Sequence, residues 1–173
     1  MKKENIEILK AGGIGVIPTD TIYGLVGRAD LPKTVEHIST IKNRSDGKGF
    51  IVLISSLDDL KLFDIKVSDA TKSFLKKYWP GKVSVVMSPT LSFRLPDKKD
   101  LIDLLKETGP LVAPSANPEG RAPAKNIEEA KEYFGDEVDF YEDGGNLESL
   151  PSTLVRIKDD EIEVLRAGAV EIK

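Results

Sequence analysis

The chain has 173 residues, 40% of them hydrophobic and 31% charged, a length that fits one domain with a substantial core. Its 29 Asp and Glu outnumber 25 Lys and Arg, for a formal charge of −4, so the basic excess of a non-specific duplex binder is missing. With no cysteine and a single histidine, His37, the sequence excludes thiol nucleophiles, disulfides, iron–sulfur clusters, zinc sites rich in Cys or His, and any Ser-His-Asp triad not built on His37.

In chain order, residues 5–10 read as a short amphipathic helix with Ile6 and Leu9 on one face, stopped by Gly12-Gly13. Residues 14–17 form an apolar strand ending at Pro18. A helix then starts at Pro32, with Val35, Ile38 and Ile41 spaced by three, and delivers Lys42 and Arg44 from its C-terminal end into a glycine-containing loop. Residues 50–55, FIVLIS, are a continuous apolar run of the kind that makes a buried strand. Ser68 is a good N-cap for a helix through Tyr78, broken by Pro80-Gly81. Residues 83–87 read as a strand, 97–108 as a helix closed by Gly109, and 111–113 as a strand running into PSAN. Residues 126–134 are helical, with Gly135 as the stop, and 138–141, 153–157 and 161–165 are strand candidates. The mixture predicts an α/β or α+β fold with a helix-covered sheet, its strand order open. No repeat or Gly/Ser linker interrupts 1–173, which favours one domain. No apolar run nears the roughly 20 residues of a membrane span. The N-terminal MKKENIEILK lacks the apolar stretch of a secretory signal, so a cytoplasmic location is expected.

Charge is unevenly distributed. Residues 1–48 hold eight Lys and Arg against six Asp and Glu, whereas 126–163 hold thirteen acids and three bases, as a solvated acidic surface would. Lys42, Arg44 and Lys48 lie within seven residues. In an acidic protein such a cluster points to an anionic small molecule. Phosphate fingerprints are missing: neither Gly47-Lys48 nor Gly81-Lys82 has a glycine five positions earlier or a following Ser or Thr, so there is no P-loop. The early AGGIG precedes its strand instead of following it, which rules out a Rossmann turn.

Four polar segments do follow or precede apolar strands: PTDTIYGL (18–25), KNRSDGKGF (42–50), APSANPEG (113–120) and PSTLVRI (151–157). Arg94 in FRLPD and Arg166 in LRAG add two further cations. Arginine suits bidentate carboxylate or phosphate recognition, and lysine supplies a point charge. Ser115 and Asn117 have no adjacent base, and read as hydrogen-bonding groups. His37 reads as a helix-surface residue, Trp79 as a core or rim residue, and Tyr23 as either a cavity lining or a packed turn residue.

Taken together, these segments resemble the YrdC-like threonylcarbamoyl-AMP synthases over essentially the whole chain. The resemblance rests on Pro18 to Leu25, Lys42-Asn43-Arg44 with Lys48, Trp79-Pro80-Gly81, Arg94-Leu95-Pro96-Asp97, Pro114 to Asn117 with Gly120, Ser152 to Val155, and Leu165 to Gly168. It implies an α/β fold with a twisted mixed parallel and antiparallel sheet, flanked by helices around a cationic cavity. It also implies a nucleotidyltransferase that makes L-threonylcarbamoyl-adenylate and pyrophosphate from L-threonine, bicarbonate and ATP. The product would pass to the tRNA threonylcarbamoyl-transfer machinery. Mg²⁺ is expected with ATP, and weak RNA binding is compatible.

By motif position the resemblance assigns Lys42, Arg44, Ser115 and Asn117 as catalytic. Arg44, Lys48, Asn117 and Arg166 fall on the ATP side, and Thr21, Arg94, Ser115 and Ser152 on the threonine side. The sequence departs from the family pattern at Ser45, where proline is usual, and at Gly49-Phe50, Lys82-Val83-Ser84 and Ala124-Lys125. The alternative is a catalytically silent RNA- or nucleotide-binding domain of the same fold. At 173 residues, the C-terminal regulatory domain that some relatives carry is not expected here.

Overall fold

Alternation along the strands sets the layering. In β1 (Gly15–Pro18), β2 (Tyr23–Arg28) and β3 (Phe50–Leu53), successive side chains point to opposite faces. Val16, Leu25 and Val52 enter one core cluster, whereas Ile17, Val26 and Leu53 enter another. Strands buried on both faces need cover on both, and helices supply it. Helices α1 (Lys3–Lys10) and α4 (Lys99–Thr108) pack on each other and bury Leu9, Leu101, Leu104 and Leu105 against the second face. Helices α2 (Pro32–Ile41), α3 (Asp69–Tyr78) and α5 (Ile127–Phe134) bury Ile38, Phe74, Leu75 and Phe134 on the first. The computed structural model describes residues 1–45, 49–158 and 161–173.

The remaining strands are β4 (Val83–Val86), β5 (Leu91–Arg94), β6 (Leu111–Val112), β7 (Phe140–Tyr141), β8 (Thr153–Lys158) and β9 (Glu161–Arg166). Among the described residues, nine strands form one mixed sheet in the order β7-β1-β2-β6-β3-β5-β4-β8-β9. The pairs β1/β7, β3/β5 and β4/β8 are parallel, and the other neighbours antiparallel.

The expected helix signals operate locally. Ser68 Oγ accepts the Thr71 N–H, Asn126 Oδ1 accepts the Glu129 N–H, and Gly109 closes α4 at φ +82°. Two strands, β2 and β5, and a 3-10 helix (Leu57–Phe63) were not expected from the sequence. The sequence of β2, YGLVGR, carries two glycines, which lower strand propensity, yet the strand is central. Gly27 serves close packing: a Cβ there would stand 2.5 Å from the Thr34 methyl and 3.0 Å from Ile38, so the glycine lets α2 approach the sheet.

Register places an unusual polar patch on the second face. Ile51 pairs with Ser92, Leu53 with Arg94, Val86 with Ser92, and Ser84 with Leu154, so Ser84, Ser92 and Arg94 share one side of β4 and β5. Here loops arch over the sheet and leave a cavity.

Candidate active site

The cavity has a volume of about 230 Å³. Ile51, Ser92, Arg94 and Leu154 form its floor on the sheet. Thr19, Thr21 and Ile22 reach it from the β1–β2 turn, Pro114 and Ser115 from the segment after β6, and Pro151 and Ser152 from the segment before β8. Arg44 and Gly49 stand at the β3 entry, and Arg166 closes β9. The site therefore lies on a face of the sheet as well as at strand ends, and Arg94 belongs to strand β5 itself instead of following β4.

Three arginines thus converge from distant segments, each held by a specific contact. The Arg94 guanidinium forms an ion pair with Asp20, with side-chain exposures of 4% and 3%. Mutual compensation is what permits two charges at that depth. Among the described residues, Arg94 Nε and Asp20 Oδ2 have no hydrogen-bond partner. Arg166 Nη2 donates to the Ser152 carbonyl at 2.8 Å and to Ser152 Oγ at 3.3 Å. Ser152 Oγ in turn lies 2.8 Å from Ser84 Oγ. Burial, followed by the like charge of Arg94, lowers the Arg166 pKa. Arg44 lies over the Phe50 ring at 4.7 Å and donates from Nη2 to the Gly49 carbonyl at 2.5 Å. Burial lowers its pKa, opposed by the charge of Glu119.

Lys42 is placed differently. Only 2% exposed, it directs Nζ at the carbonyls of Ser115 and Asn117, each at 2.5 Å, and so ties the end of α2 to the segment after β6. Burial, then the charge of Arg44, pull its pKa down to about 8, with Glu119 working the other way. Asn117 is also behind the cavity wall. Its Nδ2 donates to the carbonyls of Pro118 and Arg121, at 2.9 and 2.8 Å, and its Oδ1 is buried with no partner among the described residues. Of the nine residues singled out in the sequence, Thr21, Arg44, Arg94, Ser115, Ser152 and Arg166 line the cavity, while Lys42 and Asn117 brace its wall. Lys48 lies outside the described residues.

Sequence reasoning passed over Asp20, Ser84, Ser92 and Glu119. The signal for the serines was present: a polar residue inside an apolar strand, as in VSVV and LSFR, marks a face that is not ordinary core. Tyr23 is buried in the core and also lines the cavity, so both readings of it hold. Its hydroxyl donates to the Gly145 carbonyl at 2.8 Å and accepts the Gly144 N–H at 2.9 Å, and burial raises its pKa. Trp79 is buried, with Nε1 donating to the Val83 carbonyl at 2.7 Å, and His37 lies exposed on α2. Among the described residues, no three His, Asp or Glu side chains converge as a metal-binding group, and no helix is long and apolar enough to cross a membrane.

Comparison with known proteins places this architecture. The family model Sua5_yciO_yrdC, described as "Telomere recombination", matches residues 7–168. The chain belongs to the Sua5/YciO/YrdC family. A protein of Marinobacter nauticus named threonylcarbamoyl-AMP synthase is 31% identical over 144 residues, covering 75% of this chain and 76% of its own. The crystal structure of Escherichia coli YciO superposes with a TM-score of 0.87 at 25% identity, over 98% of this chain and 90% of that one. The Pyrococcus abyssi Sua5 structure complexed with L-threonine gives a TM-score of 0.85 at 22% identity, over 95% of this chain and 53% of that one. This chain spans about half the length of that Sua5. The mixed sheet with flanking helices expected from the sequence is the fold these structures share.

Proposed function

We propose that this chain is a threonylcarbamoyl-AMP synthase, which condenses L-threonine, bicarbonate and ATP into L-threonylcarbamoyl-adenylate and pyrophosphate. The observation that carries the reading is the convergence of Arg44, Arg94 and Arg166, from three separate segments, with Thr21, Ser115 and Ser152 around one cavity. The names and sequence matches of the relatives support the same chemistry.

The threonine amine and bicarbonate give a carbamate with loss of water. A carbamate oxygen then attacks the α-phosphorus of ATP, and the bond to the β-phosphate breaks to release pyrophosphate. No side-chain nucleophile takes part. Two anions must be held together and the charge developing on the phosphoryl oxygens must be met, which preorganised guanidinium groups do well in a partly dry site. Arg94, beside Thr21 and Ser152, takes the amino-acid carboxylate, and Arg44 and Arg166 take the phosphates. Lys42 and Asn117 shape the wall behind them, and Lys48 belongs to the ATP side by motif position. A drug-sized ligand generally occupies about 300–1,000 Å³. A 230 Å³ cavity thus suits the amino acid and the reacting phosphate, with the nucleoside along an adjoining groove of about 450 Å³ that shares Ile22, Pro123 and Pro151.

Mg²⁺ bound with ATP would offset part of the phosphate charge, and since no three acidic or histidine side chains converge among the described residues, the phosphates and waters would supply most of its ligands. The chain works as a single domain in the cytoplasm, and its product goes to the machinery that threonylcarbamoylates tRNA. The test is pyrophosphate release from ATP and bicarbonate with L-threonine, L-serine or no amino acid. Threonine-stimulated release is expected; its absence from folded protein, with salt-sensitive RNA binding instead, would replace the synthase with the silent-domain alternative.

A further inference from the structure

The loop that carries Arg44 has its own fastening, made by residues outside the set assigned so far. Glu119, two residues beyond Asn117, accepts the Ser45 backbone N–H on Oε2 at 2.6 Å. The Ser45 hydroxyl lies 3.0 Å from each of its carboxylate oxygens. The Glu119 backbone N–H donates to the Lys42 carbonyl at 2.8 Å. With the Lys42 ammonium on the Ser115 and Asn117 carbonyls, residues 42–45 and 115–119 are joined at three successive levels.

Arg44 sits between the outer two levels and faces the cavity. The outermost bonds are charge-assisted, about twice as strong as neutral ones. They also depend on a departure from the family pattern. Proline has no N–H to donate, so the usual residue at position 45 could not make the first of them. Serine supplies both that N–H and a hydroxyl.

We propose that Glu119 is a positioning residue that, through Ser45, fixes the Arg44 loop against the cavity wall and prepares it for the phosphates of ATP. It touches neither substrate; it acts through Arg44. Its charge also opposes the burial that lowers the pKa of Lys42 and Arg44. Fixing the loop in advance removes an ordering cost from ATP binding and leaves threonine binding, on the far side around Arg94, unchanged.

The role rests on the synthase reading, but its test does not need turnover. ATP affinity measured by calorimetry should fall about tenfold in Glu119→Ala, and exchange of the Ser45 amide should accelerate by at least as much. Glu119→Gln, whose carbonyl still accepts the Ser45 N–H, should stay within threefold of wild type. Ser45→Ala, lacking only the hydroxyl, should weaken ATP about threefold, and the double alanine variant should match Glu119→Ala alone. In the steady state the KM for ATP should rise while the KM for threonine moves less than twofold. A general structural role would raise both together. An ATP affinity of Glu119→Ala within twofold of wild type, equal loss for both substrates, or a glutamine variant as weak as alanine would overturn the proposal. Should Glu119→Ala fail to fold, Ser45→Ala and the glutamine variant carry the same comparison. An inactive wild type that still shows these affinity differences would count against the synthase alone.

Discussion

The depressed pKa of Lys42 makes a prediction that stability measurements can reach without any substrate. A lysine at about 8 in the folded chain and about 10.5 unfolded binds its proton less tightly when folded. Between these values the unfolded state holds more protons, so stability rises with pH through that window. The sign is the reverse of that for a lysine gaining a salt bridge: burial destabilises the charged form, and the penalty is relieved as pH passes 8. At 1.36 kcal/mol per unit the full effect is about 3 kcal/mol, of which about 2 kcal/mol appears between pH 7 and 9.5. Lys42→Met removes both the proton and the penalty. It also removes two charge-assisted hydrogen bonds of about 1.5–3 kcal/mol each, and leaves the Asn117 carbonyl without its lysine donor. At pH 7 the loss and the relief roughly offset, and the net destabilisation should be about 1–3 kcal/mol. Urea unfolding of both proteins at pH 7 and 9.5 isolates the lysine, since every other titrating group is common to the pair. The stability gap should widen by about 2 kcal/mol at the higher pH. A gap that stays constant or narrows would mean that Lys42 is not held charged in a desolvated wall, and its assignment as a brace would fail.

Three further outcomes follow from the site. Asp20→Ala strands the Arg94 guanidinium at 4% exposure and should cost about 3–5 kcal/mol, whereas pairing it with Arg94→Met should recover much of that loss, as read by thermal or urea unfolding. Gly168→Ala should lower both turnover and the melting temperature, because a Cβ there would stand 2.3 Å from the Pro151 carbonyl oxygen and 2.6 Å from the backbone of Ser152 and Thr153 and would push Ser152 away from Arg166; steady-state rates and thermal unfolding would report it. Arg166→Ala should raise the KM for ATP and reduce its dependence on salt, since a phosphate contact is the interaction that ions screen; a titration of KM between 50 and 300 mM salt (about a 2.5-fold change in Debye length) would measure this.

What the sequence made legible was whatever depends on near neighbours. Ser68 and Asn126 cap helices three residues away, Gly109 ends one at its own position, and the spacing of Ile38 and Ile41 needs only a helical period. Strand β5 escaped because it is short and half polar: Ser92 and Arg94 face a cavity, so the apolar signal that identifies β3 is missing from LSFR. The motifs named candidate residues by their chemistry but not by their geometry. Lys42 and Arg44 are two residues apart and equally cationic, and nothing local separates them. Their roles diverge because Lys42 meets carbonyls 73 and 75 residues further along the chain, whereas Arg44 is turned over Phe50 toward the cavity. The same holds for Asp20, whose importance rests on an arginine 74 residues away. In this protein a side chain's type tells which ligand it could meet, and the partner it already holds across the sheet decides whether it meets that ligand or holds the wall in place for one that does. The net charge of −4 carries no information about that choice, because the cations that matter are counted together with acids that never approach the cavity.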